Sequence, residues 1–397
     1  MTTKQSSHNS HLIVDQYFVA AAIAILALGL LMVASASMVI SERQFGAPFY
    51  YLFRQLAYVI MGVFLAFIVV RVEIAYWLRM GGILLLLGMF LLVMVLIPGI
   101  GHEANGSVRW IGFGFINLQV SEFIKLAVVI YMAGYLVRRH EEVCTRIRGF
   151  LKPMLILGII AILLLKEPDF GALVVVGVTV LGMMYMGGVR VWQFIVLVIL
   201  VVIAFAILAI SSPYRMQRLT TFLNPWANAY NSGYQLTQSL IAFGHGGIFG
   251  VGLGGSIQKL FYLPEAHTDF LFAVLAEELG LIGVLITIAL YVVLVGRALL
   301  IGKRAQLAGF AAAGFMAYGF AIWLAMQAAV NIGVTGGLFP TKGLTLPLMS
   351  YGGSSMMIDC IVIAILLRID YEVRTGKFNL FMPELQPTPL KRSSRFN

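Results

Sequence analysis

Long apolar segments separated by short polar connections recur along nearly the whole chain. Most have a length of about 20 residues, which is what an α-helix needs to cross the hydrocarbon core of a bilayer. The pattern therefore predicts an all-α polytopic membrane protein with about ten transmembrane helices. The predicted spans cover residues 17–41, 49–70, 78–98, 118–137, 153–166, 170–188, 192–211, 270–296, 306–332 and 345–367.

Composition supports this assignment and excludes a soluble protein. Of the 397 residues, 60% are hydrophobic and 11% are charged, whereas soluble domains average about 45–50% apolar and about 25% charged residues. No separate soluble domain fits between the spans. We predict a cytoplasmic N-terminal segment (1–15), one ten-helix domain (16–376) and a flexible cytoplasmic tail (377–397) that is rich in proline and basic residues.

Basic residues predict which side of the membrane each connection faces. An even number of spans places both termini on one side. With that side in the cytoplasm, the majority of the 27 lysines and arginines fall in cytoplasmic pieces, as the positive-inside rule requires. This rule accounts for the net charge of +10, so no nucleic-acid partner needs to be invoked.

One outer connection, residues 212–268, is much longer than the others. Loops of this length are more often functional than idle. Its aromatic and aliphatic residues predict short amphipathic helices lying at the outer membrane surface.

A minority of basic residues is predicted to face outward, against the positive-inside rule. Such residues are what an anionic substrate at the outer leaflet needs, with phosphate as the natural candidate. Scattered solvated charges are the alternative. The outward bases are Arg109, Lys166, Arg215, Arg218, Lys259 and Lys342.

Asp269 stands at the threshold of the eighth predicted span. An aspartate at a helix start often caps the helix by accepting backbone N–H groups. It is also a candidate general base, because partial desolvation at the membrane boundary raises the pKa of a carboxylate toward neutral pH. His267 and Glu265 are its titratable neighbours on the N-terminal side, and the histidines of the chain lack metal-ligand spacing.

Glu277 and Glu278 follow Asp269 within the same predicted span. At 1.5 Å per residue they lie about 12–14 Å deeper, and the three side chains point in different directions unless the helix bends. A carboxylate at this depth must be protonated, paired or turned toward a polar cavity. We favour a structural partnership with a base on a neighbouring span over a role in chemistry.

Gln119, Glu122 and Lys125 are spaced at i, i+3 and i+6 at the start of the fourth span. This spacing places them on one helix face, and Glu122 precedes Lys125 in the order that favours an ion pair. The alternative is that Glu122 or Lys125 points into a cavity and holds a polar headgroup. Trp110, beside Arg109 in the first outer loop, fits either an interfacial belt or that site.

Taken together, these residues resemble the SEDS family (shape, elongation, division and sporulation), over about residues 15–375. Residues 262–269 and 340–347 resemble the division-type members. The motifs that carry the resemblance are Gly106–Ile111, Gln119–Lys125, Lys166–Gly171, Gly233–Gln235 with Gln238-Ser239, Leu263–Phe270, Ala276–Gly280 and Pro347–Ser355.

The resemblance implies a peptidoglycan glycosyltransferase that polymerises lipid II at the outer face of the cytoplasmic membrane, at the division septum. It implies a class B penicillin-binding protein and other division proteins as partners. Asp269 then matches the family's essential acid, Arg109 and Trp110 its first outer-loop motif, Glu122 and Lys125 its fourth-span pair, and Lys342 the division-type lysine. No organic cofactor is expected. Besides Arg and Lys, a divalent cation such as Mg²⁺ or Mn²⁺ is a source of positive charge for the pyrophosphate leaving group.

Two residues depart from the family pattern. Phe261 stands where many division-type members carry an acid, and Asp359 is an acid inside the tenth span, where the pattern is apolar or small. Two other functions remain open. A flippase for the lipid-linked precursor uses the same outward cations and requires a cavity that opens to both sides; a non-catalytic scaffold tolerates loss of the Asp269 carboxylate.

Overall fold

The computed structural model describes residues 14–99, 101–104, 107–113, 116–210, 222–231, 233–340 and 343–377. Twelve α-helices lie within these ranges. They are α1 (Gln16–Phe45), α2 (Tyr50–Val69), α3 (Ile74–Val95), α4 (Val120–Arg138), α5 (His140–Thr145), α6 (Ile147–Lys166), α7 (Phe170–Met186), α8 (Val191–Ile210), α9 (Tyr234–Gly246), α10 (Leu271–Leu307), α11 (Ala311–Thr335) and α12 (Gly353–Thr375).

Ten of these described helices, all except α5 and α9, correspond to the ten predicted spans. Seven of the ten are long and apolar enough, by length and composition alone, to cross a membrane. α7 is apolar but has only 17 residues. The prediction of a helical membrane protein is confirmed.

α4 and α11 form the centre of the bundle. In their most apolar stretches, 89% of the residues of α4 and 72% of those of α11 are buried, against 28–33% in the other spanning candidates. α11 packs against α4, α7 and α10, while α2 packs against α12 and α3 against α4. The outer faces of the peripheral helices carry exposed Phe, Ile, Leu and Val side chains, as expected where a helix meets lipid.

Both ends of the described chain lie at one end of the bundle. The Asp15 carboxylate, which precedes α1, pairs with Arg297 and Arg304 of α10 and lies 3.7 Å from Arg374 of α12. This agrees with an even number of spans. We call this the inner end, following the basic residues, and the opposite end, which carries Asp269 and Arg109, the outer end.

The outer connections are more ordered than the apolar pattern alone indicates. A three-stranded antiparallel sheet lies in the connection predicted only as a loop (99–117) and extends into the first two residues predicted for the fourth span. Its strands are β1 (Gly101–Ala104), β2 (Ser107–Phe113) and β3 (Ile116–Gln119). In the long outer connection, the described part contains a 3₁₀ helix (Pro225–Asn228) and α9, with 13 residues. These agree with the predicted short helices.

α10 is broken near its outer end by Gly280, whose backbone has φ 65° and ψ −165°. This positive φ suits glycine because a side chain would be strained there. A Cβ on Gly280 would also collide with the backbone of Gly250 and Ile248, which pack against it. The glycine-rich run around Gly250 therefore serves close packing.

The last span begins later than predicted, at Gly353 rather than residue 345. Residues 343–352 are not helical. Pro347 explains part of the difference, because proline lacks a backbone N–H and disfavours helix in the residue before it. Side chains from α2, α10, α11 and α12 hold this segment instead, and it forms one wall of the site.

Candidate functional site

Asp269 lies in the last turn before α10, where three segments of the outer end converge. Asn331 of α11 donates hydrogen bonds from Nδ2 to the carbonyl oxygens of Asp269 (2.8 Å) and Leu344 (2.6 Å). Gly343 approaches so closely that a Cβ there would lie 2.8 Å from Asp269 Oδ2. The backbone of Asp269 is thus tied to the segment after α11, and its carboxylate faces that segment.

The surroundings of Asp269 make it a weak acid. Burial raises the pKa of Asp269 to about 7; Glu265 and Asp169 also act to raise it, and Arg109 acts in the opposite direction. A carboxylate with this pKa is substantially ionised at neutral pH and still basic enough to accept a proton from a hydroxyl. Asp269 is not the N-cap of α10, since Phe270 occupies that position without a side-chain cap.

Arg109 is the described cation that opposes the raised pKa of Asp269. It extends from β2 and donates from Nε to the Glu167 carbonyl (3.3 Å) and from a terminal nitrogen to the Pro168 carbonyl (2.7 Å). Because both acceptors are neutral carbonyls, these bonds fix the guanidinium in place without neutralising its charge. Asp169 caps α7 by accepting from the Ala172 N–H (3.1 Å).

Glu167 is a second acid whose environment disfavours ionisation. It is fully buried, and neither carboxyl oxygen has a hydrogen-bond partner in the described ranges. Burial raises the pKa of Glu167 to about 8; Asp169 adds to this effect and Arg109 opposes it. Glu167 is therefore mostly protonated at neutral pH, which limits the negative charge around Arg109.

Glu122 and Lys125 form the intrahelical pair on α4. Lys125 Nζ lies 2.8 Å from Glu122 Oε2 and donates to Gln327 Oε1 at 2.7 Å. Gln327 in turn donates from Nε2 to the Thr345 carbonyl (3.0 Å). Both charged side chains are buried and do not reach the surface. Through Gln327 they contact the segment of residues 343–352 from the interior of the bundle.

Glu277 and Glu278 hold the outer connection against the bundle. Glu277 accepts hydrogen bonds from Ser256 Oγ and from the N–H groups of Ile257 (3.1 Å) and Gln258 (3.3 Å) and pairs with His245. Glu278 pairs with Lys259 Nζ (2.7 Å). The partner of Glu278 is thus a base in the outer connection and not, as predicted, on a neighbouring span.

The ammonium group of Lys259 is engaged in this ion pair. Its Nζ also donates to Ser35 Oγ of α1 (3.0 Å), and only 5% of the residue is exposed. The structure therefore does not bring Lys259 to the group around Asp269. Lys166 is exposed at the end of α6. The predicted site residues Arg215, Arg218 and Lys342 lie outside the described residues.

His267 and Glu265 flank Asp269 on its N-terminal side. The His267 ring lies against two tyrosines, with centroids 4.7 Å from Tyr51 and 5.4 Å from Tyr351. Burial lowers the pKa of His267, while Glu265 acts to raise it. Glu265 accepts a hydrogen bond from Thr268 Oγ1 (2.7 Å).

Trp110 is the other predicted residue of the first outer loop. It is partly buried in β2 and pairs in register with Gln119 of β3. Trp110 therefore follows Arg109 on the strand that positions the guanidinium at the outer end.

Several polar residues of this site were not predicted from the sequence. Asn331 and Gln327 are four residues apart and lie on one face of α11. Buried amides in an apolar span are costly unless they are satisfied, so their i, i+4 spacing is a usable signal. Asp359, unexplained from the sequence, accepts the Leu348 N–H (3.0 Å) and thereby holds the segment that precedes α12.

A metal site built from the protein alone is not evident. Within the ranges that the structure describes, no group of three or more His, Cys, Asp or Glu side chains is placed to hold a metal ion. The acids near Asp269 have other roles. Asp169 caps α7, Glu167 is a buried neutral carboxyl, and Glu265 accepts a hydrogen bond from Thr268 within a turn. In this region the described chain supplies positive charge through Arg109.

Comparison with known proteins identifies the family. The model of the cell cycle protein family FtsW/RodA/SpoVE matches residues 15–375. A probable peptidoglycan glycosyltransferase FtsW from Coxiella burnetii is 58% identical, over 90% of this chain and 96% of the relative. A protein of the same name from Legionella pneumophila is 57% identical, over 92% of this chain and 93% of the relative.

Solved structures agree with this assignment. A chain from a peptidoglycan synthase complex, described for its coordination of polymerization and crosslinking, superposes with a TM-score of 0.76 at 27% identity, covering 91% of this chain and 99% of that chain. The crystal structure of the rod shape determining protein RodA from Thermus thermophilus gives a TM-score of 0.67 at 27% identity, covering 92% and 99%. The chain therefore belongs to the FtsW/RodA/SpoVE family of cell cycle proteins.

Proposed function

We propose that this protein is a peptidoglycan glycosyltransferase that polymerises lipid II into glycan strands at the outer face of the cytoplasmic membrane. The observation that carries the proposal is the placement of Asp269 at the outer end, with a pKa raised to about 7 and the fixed charge of Arg109 nearby. The relatives named as peptidoglycan glycosyltransferases support the same chemistry.

In the proposed reaction, Asp269 is the general base. Its carboxylate takes the proton of the 4-hydroxyl of the acceptor N-acetylglucosamine. The freed oxygen forms a bond to the muramyl anomeric carbon of the donor, with inversion. The bond from that carbon to the pyrophosphate breaks, and undecaprenyl pyrophosphate leaves with the electron pair.

Arg109 is proposed to stabilise the negative charge that develops on the leaving pyrophosphate. Its guanidinium is held by two carbonyl groups, so it needs little reorganisation when charge develops. Lys166, Arg215, Arg218 and Lys342 are further candidates for this role. A divalent cation, if the reaction uses one, is best supplied with the substrate pyrophosphate, because the described acids offer it no ready site.

We also propose a partner for this membrane protein and the place in the cell where the two act. A class B penicillin-binding protein, which crosslinks the new strands at the division septum, is the proposed partner. The likeness to a chain from a synthase complex that both polymerises and crosslinks supports this pairing.

The test is polymerisation of lipid II by the purified protein with its transpeptidase partner in vesicles, read as glycan chains on a gel. Asp269→Asn preserves shape and removes basicity, and we expect it to lower the rate by about 10²–10⁴-fold. Glu42→Gln, at an exposed acid near the outer end of α1, is the matched control and retains the wild-type rate. Wild-type polymerisation by Asp269→Asn would reject the assignment of the base. A lipid-linked precursor that crosses the bilayer without being polymerised would instead indicate a flippase.

A further inference from the structure

Arg54 is an arginine of a spanning helix that forms no ion pair with a described carboxylate. It lies in the second turn of α2, near the outer end, and donates from Nε to Tyr58 Oη (3.0 Å). The tyrosines that face it are Tyr50, Tyr51, Tyr58 and Tyr351, and Glu265 lies near Tyr51. All four tyrosines are neutral at physiological pH, so none of them neutralises the guanidinium charge.

Three arginines of the inner end differ in this respect. Arg297 pairs with Asp15, Arg368 with Glu372, and Arg374 with Asp370. Ionisable residues in spanning segments are expensive and usually paired. Arg54 is partly exposed toward the outer end and lacks such a partner, so it is suited to bind an anion from outside the protein.

The surroundings of Arg54 are continuous with the Asp269 site. Tyr51 lies three residues before Arg54 on α2, and its ring packs on the ring of His267. His267 in turn is two residues before Asp269. The ring of Tyr351 lies 5.2 Å from that of Tyr51 and also packs on His267. A layer of aromatic rings therefore lies between Arg54 and Asp269.

Gln55 fixes this arrangement. Its Nε2 donates to the Ser350 carbonyl (3.2 Å), and its Oε1 accepts the Gly352 N–H (3.3 Å). Both bonds join α2 to the segment that precedes α12. The position of Arg54 relative to the Asp269 site is therefore set by the fold and does not depend on a flexible contact.

The proposed reaction joins two lipid-linked molecules, and each carries a pyrophosphate. The donor pyrophosphate is bonded to the carbon under attack, so it must lie beside the reacting atoms. The acceptor pyrophosphate is separated from the reacting 4-hydroxyl by its own disaccharide. A site for both molecules therefore needs one cation close to Asp269 and another a disaccharide away.

Arg109 and Arg54 fit these two requirements differently. Arg109 is close enough to lower the pKa of Asp269, which suits the donor. Arg54 is joined to the aromatic layer through Tyr58, whose ring packs against Tyr351. Resting on the proposed function, we propose that Arg54, which is held in place by its hydrogen bond to Tyr58, binds the pyrophosphate of the acceptor lipid.

The test separates the two substrates. A preformed lipid-linked tetrasaccharide serves as donor at saturating concentration while lipid II is varied as acceptor, and the reverse series varies the donor. For Arg54→Gln we expect the KM for acceptor lipid II to rise about 10-fold or more, as for loss of a charged hydrogen bond, with kcat and the donor KM little changed. Arg54→Lys, which retains the charge, has a smaller effect. Arg71→Gln, at the inner end beyond α2, is the matched control.

Two outcomes would overturn the proposal: an unchanged acceptor KM, or an equal rise in both series, which indicates a general structural effect. The series is repeated in phosphatidylcholine vesicles with and without phosphatidylglycerol. We expect the effect of Arg54→Gln in both. An effect confined to vesicles with phosphatidylglycerol would assign Arg54 to bulk anionic lipid and reject the acceptor role. Absence of any polymer from the wild-type protein would instead reject the proposed function.

Discussion

Asp269 is expected to make polymerisation depend on pH near neutrality. A general base acts only when ionised, and burial raises the pKa of Asp269 to about 7. The rate should therefore fall as pH decreases through about 7 and reach a plateau above it. Arg109→Gln removes the cation that opposes this rise, so the midpoint should move to higher pH. The measurement is the pH dependence of initial rates under saturating lipid II.

Glu167 is the control for this pH profile. Burial raises its pKa to about 8, so its own titration would produce a similar dependence on pH. It is not among the groups that act on the pKa of Asp269, so Glu167→Gln should leave the midpoint near that of the wild type. A midpoint that disappears in Glu167→Gln would assign the titration to Glu167. A wild-type midpoint near the ordinary aspartate value of about 4 would contradict the role of burial at Asp269.

Individual residues show where prediction from the sequence ends. The i, i+3 spacing of Glu122 and Lys125 is sufficient to predict their contact, because helix geometry alone places them together. The partner of Glu278 could not be found in this way. Lys259 is 19 residues away in sequence and reaches Glu278 only because the outer connection folds back onto α10. Such contacts depend on tertiary packing, which local periodicity does not encode.

At the scale of elements, the contact between Lys259 and Glu278 is expected to hold the outer connection on α10. The acid is fully buried and the base nearly so. Breaking a buried pair by removing one partner costs about 3–5 kcal/mol, since the other charge is left uncompensated. Lys259→Met and Glu278→Met should therefore each destabilise the protein more than the double variant does. The measurement is the unfolding midpoint in detergent, compared in a double-mutant cycle.

An exposed pair at the inner end provides the control. Lys152 and Glu142 lie 2.8 Å apart, with side-chain exposures of 48% and 25%. Solvent screens pairs of this kind so that they contribute little to stability, and Lys152→Met should therefore change the unfolding midpoint little. Additive effects of Lys259→Met and Glu278→Met would mean that the two side chains do not stabilise each other.

The spans themselves are predictable because each is an apolar run of sufficient length, whereas the connections are not. Residues 343–352 contain enough apolar residues to resemble part of a span. They remain non-helical because Pro347 interrupts the backbone and because Asn331, Gln327 and Asp359 satisfy their carbonyl and amide groups. This segment contacts Asp269, so the part of the fold hardest to predict is also part of the candidate site.

At the scale of the whole molecule, the two ends of the bundle use charge differently. At the inner end, Asp15 and Asp370 are paired with arginines from α10 and α12. At the outer end, Arg109 and Arg54 donate hydrogen bonds to neutral groups, whereas Lys259 is paired with Glu278. The net charge of the chain indicates neither arrangement. The distinction follows from which basic residues have acidic partners.

The proposed chemistry requires that Asp269 face the outside of the cell, which thiol labelling tests directly. In a Cys144→Ser, Cys360→Ser background, Glu42→Cys introduces an exposed thiol near the outer end, and Glu141→Cys introduces one near the inner end. A membrane-impermeant maleimide added to intact spheroplasts should label the first and should label the second only after permeabilisation. A cytoplasmic marker protein that stays unlabelled before permeabilisation is the control for intact spheroplasts. The opposite pattern would place Asp269 on the cytoplasmic side, where an outer-leaflet lipid substrate cannot reach it.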